Sequence, residues 1–484
     1  MIPKITHFML FLNFRILRSM LVKEKFNFQY IFSISLVSAL GGLLFGYDWV
    51  VIGGAKPFYE RYFEITQQAS LQGWAVSCAL VGCIIGAIGS GKITEALGRK
   101  VPLILSAVLF TLSAIGTGMV NTLSWFIIFR IIGGVGIGLA STISPIYIAE
   151  MAPAHYRGRL VSLNQLTIVI GILAAQIINY LIAEPIMDGS TDAQIAASWN
   201  GQQGWRWMFW AEAFPALTFF ILTFFIPESP RWLGQRNRWP EVQKLLSRIG
   251  GKDYAATGQE EIRQSLQQHQ QPLGQLLLEK KNQFILLIGI VLAVFQQWCG
   301  INVVFNYADE IFSAAGYSIN DALFNIVITG VVNLVFTFVA IRTIDQWGRR
   351  KLLLVGSLGL AITYTLLSIC YLTDIKGVFA LSLVLIGIAV YAMSLAPVVW
   401  VVLSEIFPNR IRGMAMAMAT TALWIASFVL TYTFPLLNSG LGTSGTFFLY
   451  SAICLAGFIF ILRTLPETKN KSLEEIEREL GVDG

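Results

Sequence analysis

Charge is what this sequence has least of. Only 13% of its 484 residues are Asp, Glu, Lys or Arg, against about 25% in an ordinary soluble chain, and the mean hydropathy is +0.65. That excludes a conventional soluble multi-domain protein. Histidine is scarce too: His7, His155 and His269 are the only three, none paired within a span. A metal cluster or a Ser/His/Asp arrangement therefore has no material, and no nucleotide loop is present. An enzyme reading has little to stand on. The five cysteines, Cys78, Cys83, Cys299, Cys370 and Cys454, all lie in apolar runs without a C-x-x-C pair. They read as small packing residues, with neither a disulfide framework nor a metal site. The opening "MIPKITHFMLFLNFRILRSML" has no uninterrupted apolar core and no A-x-A-like site, which argues against a signal peptide. It is expected to be a basic cytoplasmic tail, with Met20 as an alternative start.

What is present is apolar length. Runs long enough to cross about 30 Å of hydrocarbon fall near residues 29–53, 71–91, 101–120, 124–149, 160–182 and 207–226, and again near 283–306, 320–341, 352–371, 378–403, 413–435 and 445–465. The expectation is an all-α membrane protein with twelve transmembrane helices in two six-helix pseudo-symmetric bundles. Its parts would be a cytoplasmic N-tail 1–28, a first bundle 29–227, an intracellular helical linker 228–282, a second bundle 283–466 and a cytoplasmic C-tail 467–484. The net charge of +6 gathers in short loops on one side, so it reads as a topology signal rather than a nucleic-acid patch. By the positive-inside rule both termini and the linker are cytoplasmic. The halves repeat: "EMAPAHYRG" from Glu150 and "EIFPNRIRG" from Glu405 share E-x-x-P-x-x-x-R-G. A parallel duplication of six spans is a transporter pattern.

Within the first span, Asp48 is the only charged residue between Tyr30 and Gly54. A carboxylate at membrane depth costs roughly 2.5–3.5 kcal/mol or more, so it should have a function and a partner. Gly41, Phe45, Asp48 and Ile52 share one helix face. The partner expected is Arg130, which leads a small-residue face through Gly134 and Gly138. A carboxylate that alternates between a cation and an apolar surround holds its proton weakly in one state and tightly in the other. That is what proton coupling requires. Polar stripes also appear: Gln165, Ile172 and Gln176 on the fifth span, Gln296, Gln297, Asn302 and Asn306 around Gly300, and Asn325, Thr329, Asn333 and Thr337 on the eighth.

The paired G-R-K and G-R-R loops, "PESPRWL", "LNQL", "QQWCGIN", "PVVW" and "PETKNKSLEEIE" occur in order over residues 28–478. With these motifs the chain resembles the sugar porter family of the major facilitator superfamily, in both its proton-coupled and its facilitative members. The resemblance implies alternating access about a monosaccharide held between the bundles. It implies sugar contacts at Gln165, Gln296, Gln297, Asn302, Asn333, Trp400 and Trp424, with Phe45 near the ring. It also implies a cytoplasmic gating network of Arg99, Glu150, Arg157, Glu228, Arg231, Arg349, Glu405 and Arg412. Coupled members are similar to this chain in carrying Asp at position 48, where human facilitators have Asn. The chain departs from the family at Asn306, Ala396, Leu423 and Ser427, which leaves one wall of the pocket less polar.

The expected function is proton-driven import of a monosaccharide, a pentose or hexose of xylose type, across a cytoplasmic membrane. Sugar, protons and the lipid bilayer are the expected partners, with no cofactor and no nucleic acid, and the chain is expected to act as a monomer. The alternatives are an uncoupled facilitator, a polyol or inositol transporter, and a transporter-like sugar sensor, which would be expected to carry a longer signalling tail.

Overall fold

The computed structural model describes residues 26–267, 279–408, 411–469, 471 and 475. The expectations for the extreme N-tail, Met20 and most of the C-tail lie outside that set. In hydrocarbon every backbone amide must be satisfied within its own segment, and the apolar runs form helices accordingly. The first five spans are α1 (Phe28–Tyr62), α2 (Ala69–Leu97), α3 (Lys100–Met119), α4 (Leu123–Met151) and α5 (Ala154–Ile182). A short α6 (Asp192–Ala197) precedes α7 (Trp205–Trp210) and α8 (Ala213–Thr223), which together cover the sixth span. After α9 (Pro230–Gln235) and α10 (Trp239–Gln267) come α11 (Lys280–Trp298), α12 (Ile301–Asn306) and α13 (Ala308–Ala314). Then follow α14 (Ile319–Trp347), α15 (Arg349–Leu372), α16 (Val378–Met393), α17 (Leu395–Ile406) and α18 (Arg412–Thr464).

Ten described helical stretches are long and apolar enough to cross a membrane. The longest, α18, turns at Gly442 (φ 70°) and so covers both of the last two apolar runs. The first span departs from its expected end near residue 53. Its helix continues to Tyr62 and takes Lys56 and Glu60 with it. Both side chains are buried, held by charges that the local sequence does not reveal.

The described residues divide into two units. In the smaller, the start of α1 meets the linker. Asn27 N–H donates to the Ile249 carbonyl at 2.8 Å, and the Arg248 guanidinium lies 4.0 Å from the Tyr30 ring centroid. Ser229 caps α9, with Pro230 in its first turn. The larger unit contains the remaining spans. Its helices approach through small residues: a Cβ on Gly134 would strike the Ala79 carbonyl, and one on Gly138 the Cys83 carbonyl. α2 offers Gly82 and Gly86 to α4 in return, the small-xxx-small packing of membrane helices.

Two interior breaks shape the centre. Gly300 adopts φ 87° between α11 and α12, a left-handed conformation that costs a side-chain-bearing residue roughly 1–2 kcal/mol. Between α16 and α17, Ser394 leaves the helical region (φ −128°, ψ −90°), just before Pro397. Both breaks sit inside protein, where freed backbone groups can find partners.

Candidate functional site

Asp48 and Arg130 meet in the interior of the larger unit. Asp48 is 0% and Arg130 2% exposed. An Arg130 Nη1–H donates to Asp48 Oδ1, and Nη2 donates to the Asp48 backbone carbonyl at 3.2 Å. The guanidinium lies 5.5 Å from the Phe209 ring centroid. Asp48 Oδ2 has no hydrogen-bond partner, and it faces the bare Cα of Gly133 on α4. One carboxylate oxygen is thus tied to the cation, while the other is available to a proton. Glu212, between α7 and α8, is buried within electrostatic reach of both groups, and its Oε1 also lacks a partner. The sequence reading missed it, although a lone acid in "WMFWAEAFPALTFF" carries the same signal as Asp48.

Beside Asp48, three rings from the two halves of the chain gather. Phe45 and Trp424 have centroids 5.7 Å apart, Trp49 and Trp424 6.0 Å, and Phe45 and Trp49 6.1 Å. Trp424 is buried with its indole N–H unpartnered. Trp49 was not among the expected contacts, although it stands four residues after Phe45 on the same side of the helix. An amide chain runs across the Gly300 break: Asn302 Nδ2 donates to Gln297 Oε1, and Gln297 Nε2 to Gln296 Oε1 at 3.5 Å. Gln296 Nε2 in turn reaches the Leu395 and Ala396 carbonyls, each at 3.2 Å. It thereby satisfies backbone beside the Ser394 break and ties α11 to the segment carrying Trp400.

The remaining expected contacts are less tightly engaged. Gln165 and Trp400 are half-buried and Asn333 is buried, and none has a side-chain hydrogen bond to another described residue. Across the halves, Gln176 Nε2 donates to Thr329 Oγ1 at 3.3 Å. Uncharged donors and acceptors beside aromatic faces suit a polyhydroxylated ring, which offers hydroxyls at its edge and C–H on its faces.

At the end of the larger unit remote from Lys56, two ion pairs repeat in the two halves. Arg99 Nη2 lies 2.8 Å from Glu150 Oε1, and Arg349 Nη2 3.1 Å from Glu405 Oε1. The second arginine of each motif bonds backbone instead: Arg157 Nε donates to the Ala149 carbonyl at 3.0 Å, and Arg412 Nε to the Phe407 carbonyl at 3.2 Å. Glu228 and Arg231 belong to the smaller unit, at the start of α9. Glu467 was not foreseen: it accepts the Arg349 and Arg350 amides at 2.8 and 3.2 Å. Thr468, next to it, donates to Glu405 Oε2 at 2.5 Å.

Comparison with known proteins places this geometry. A family model described as "Sugar (and other) transporter" matches residues 34–480. The chain is 41% identical to a D-xylose-proton symporter of Escherichia coli, over 94% of this chain and 97% of that one. It is 39% identical to a glucose transport protein of Synechocystis (93% and 97%) and 36% identical to an arabinose-proton symporter of Bacillus subtilis (94% and 96%). Among solved structures it superposes on a partially occluded inward-open form of the E. coli xylose transporter XylE, with a TM-score of 0.80 at 39% identity, covering 92% of this chain and all of that one. The XylE complex with 6-bromo-6-deoxy-D-glucose gives 0.76, with 94% and 100% covered. The architecture is the twelve-helix major facilitator fold in two six-helix bundles, in which the two short helices α7 and α8 make the sixth span and α18 the last two. With one family model spanning nearly the whole chain and relatives aligned end to end, this multi-pass membrane protein belongs to the sugar transporter family.

Proposed function

We propose that the protein is a proton-coupled monosaccharide symporter of a cytoplasmic membrane, taking a pentose or hexose, and that it is not an enzyme. The observation that carries this reading is the Asp48–Arg130 pair, buried and half-satisfied, with Asp48 on the helix that also carries Phe45 and Trp49 of the ring cluster. Residues 29–227 and 283–466 act as the two rocking bundles, 228–282 as a cytoplasmic linker, and both termini lie inside. The relatives named for proton symport of xylose and arabinose support the same chemistry.

In this cycle a proton from outside occupies the free oxygen of Asp48 and weakens its hold on Arg130. Sugar hydroxyls engage Gln165, Gln296, Gln297, Asn302 and Asn333, and its C–H face lies against Phe45, Trp400 and Trp424. The bundles then rock, and the Arg99–Glu150 and Arg349–Glu405 clusters rearrange with Arg157 and Arg412. Once the site opens inward, Arg130 reclaims the carboxylate and the proton leaves with the sugar. A charge crossing 100 mV contributes about 2.3 kcal/mol, or roughly 50-fold accumulation.

The test is labelled-sugar uptake into energised vesicles, screening xylose, arabinose, glucose, galactose and inositol, with and without a protonophore. Wild type should concentrate one of them only with the gradient. Asp48→Asn should exchange that sugar without concentrating it. Equal equilibration by both proteins would make this a facilitator with a structural aspartate.

A further inference from the structure

Among the described residues, more charged side chains meet at a second interior point than at the Asp48 pair. It lies in the last turns of α1, at the end of the larger unit opposite the repeated Arg/Glu pairs. Lys56 is 1% exposed, and its Nζ lies 2.6 Å from Glu310 Oε1, 3.4 Å from Asp309 Oδ2 and 3.2 Å from Glu60. The ammonium also faces the Tyr307 ring at 5.4 Å. Two amides brace the acids: Gln72 Nε2 donates to Glu60 Oε2 at 3.2 Å, and Asn438 Nδ2 to Glu310 Oε2 at 3.4 Å. Lys56 and Glu60 come from the first bundle, and Asp309 and Glu310 from the second. The cluster therefore ties the halves together.

Its charges do not balance. Among the described residues three carboxylates surround one ammonium; the other cation nearby, Arg61 on α1, lines the same cavity as Asp309 but is engaged 2.8 Å from Asp192. The other titratable groups facing the cluster are the phenols of Tyr59 and Tyr307 and the thiol of Cys78, all neutral when protonated. Such a surplus of like charge, partly screened because the Asp309 and Glu310 side chains are 16% and 25% exposed, is relieved by binding protons. Asp309 is the acid placed to take one. Asp309 Oδ1 and Glu60 Oε1 are both buried without a hydrogen-bond partner, and of the two Asp309 lies farther from Lys56, at 3.4 against 3.2 Å. Asp309 also borders a cavity of about 60 Å³ that Arg61, Ser313 and Ile319 help to line.

We propose that Lys56, Glu60, Asp309 and Glu310 form a second proton-binding site, a latch that takes up one proton on Asp309 when it closes the outer end of the path and returns it to the same side on opening. Which end is outer rests on the orientation proposed above. When the latch is open, the three carboxylates are solvated and ionised at neutral pH. When it is closed they share one cation, so closing binds a proton and low external pH favours the closed state. The sugar-to-proton ratio is unaffected, because this proton never crosses.

Ser313→Cys, on the cavity wall, reports closure through its labelling by a membrane-impermeant maleimide in right-side-out vesicles. The five native cysteines are buried. Lys56→Met leaves the acids facing one another and should hold the latch open, so its labelling rate supplies the reference at each pH. Relative to that reference, the latch-intact protein should label more slowly as external pH falls, by up to about tenfold per unit for one linked proton. Asp309→Asn should stay closed but lose the pH slope. Equal labelling with Lys56 and with Met at position 56 overturns the latch, and a slope that survives Asp309→Asn overturns the proton site. Labelling needs no sugar, so a failure of the symport reading would show in uptake alone.

Discussion

At the scale of the residue, the proposed coupling site depends on an atom that is missing. Gly133 leaves open the space beside Asp48 Oδ2, and a Cβ there would lie 3.0 Å from that oxygen and overlap the Ser113 hydroxyl. Overpacking of this kind costs about 1–3 kcal/mol. Here it falls on the oxygen expected to receive the proton. Gly133→Ala should therefore depress gradient-driven accumulation more than sugar exchange, and the ratio of the two measured in one vesicle preparation checks it. Much of this site is legible in the sequence, because a charge inside an apolar run announces itself and few partners are on offer. Glu212 carries the same signal and went unread. Trp49 follows Phe45 at i, i+4 and so lay within reach of periodicity, but only the fold brings Trp424 to it.

At the scale of the element, the site is built where helices are interrupted. The Gln297–Asn302 amide pair spans the Gly300 break, and Gln296 closes the break at Ser394 by accepting the duty of capping carbonyls. Gly300→Ala would face both the left-handed backbone and the Tyr450 ring, 2.8 Å from the new Cβ. Straightening or shifting that break separates the two amides, at about tenfold in affinity for each 1.4 kcal/mol lost. Weaker equilibrium sugar binding, with the fluorescence of Trp424 as reporter, is the expected result; unchanged binding would show that the break does not set the site. The glycine in the seventh apolar run foretells its interruption. The tenth run contains Pro397, yet it breaks three residues earlier, at Ser394, where Gln296 supplies the compensation from another helix. Long-range compensation of this kind leaves no local trace.

At the scale of the whole molecule, the halves meet closely at the Lys56 end. A Cβ on Gly53 would fall 2.5 Å from the Phe305 carbonyl, and one on Gly73 would strike the Tyr432 carbonyl. The Ile186 amide and the Asn320 side chain add a further tie at 3.0 Å. Gly53→Val and Gly73→Val should hold this end apart, at about 1–3 kcal/mol each. Sugar binding should then persist while counterflow slows, a split that binding and exchange assays on the same protein reveal. Span number, duplication and the Asp48 partner could all be read from hydropathy and motif order. The Lys56 cluster could not, because the first span was ended before it and its acids lie in the other bundle. That misplaced boundary has a mechanical meaning. Asp48 and Lys56 stand eight residues apart on α1, about 12 Å along its axis, with Pro57 inside the helix just beyond Lys56. In the proposed cycle α1 works as a jointed crank: Pro57 deprives the Gly53 carbonyl of its helical amide, so the Lys56 end can swing out of its socket on a hinge while the Asp48 turn shifts against Arg130.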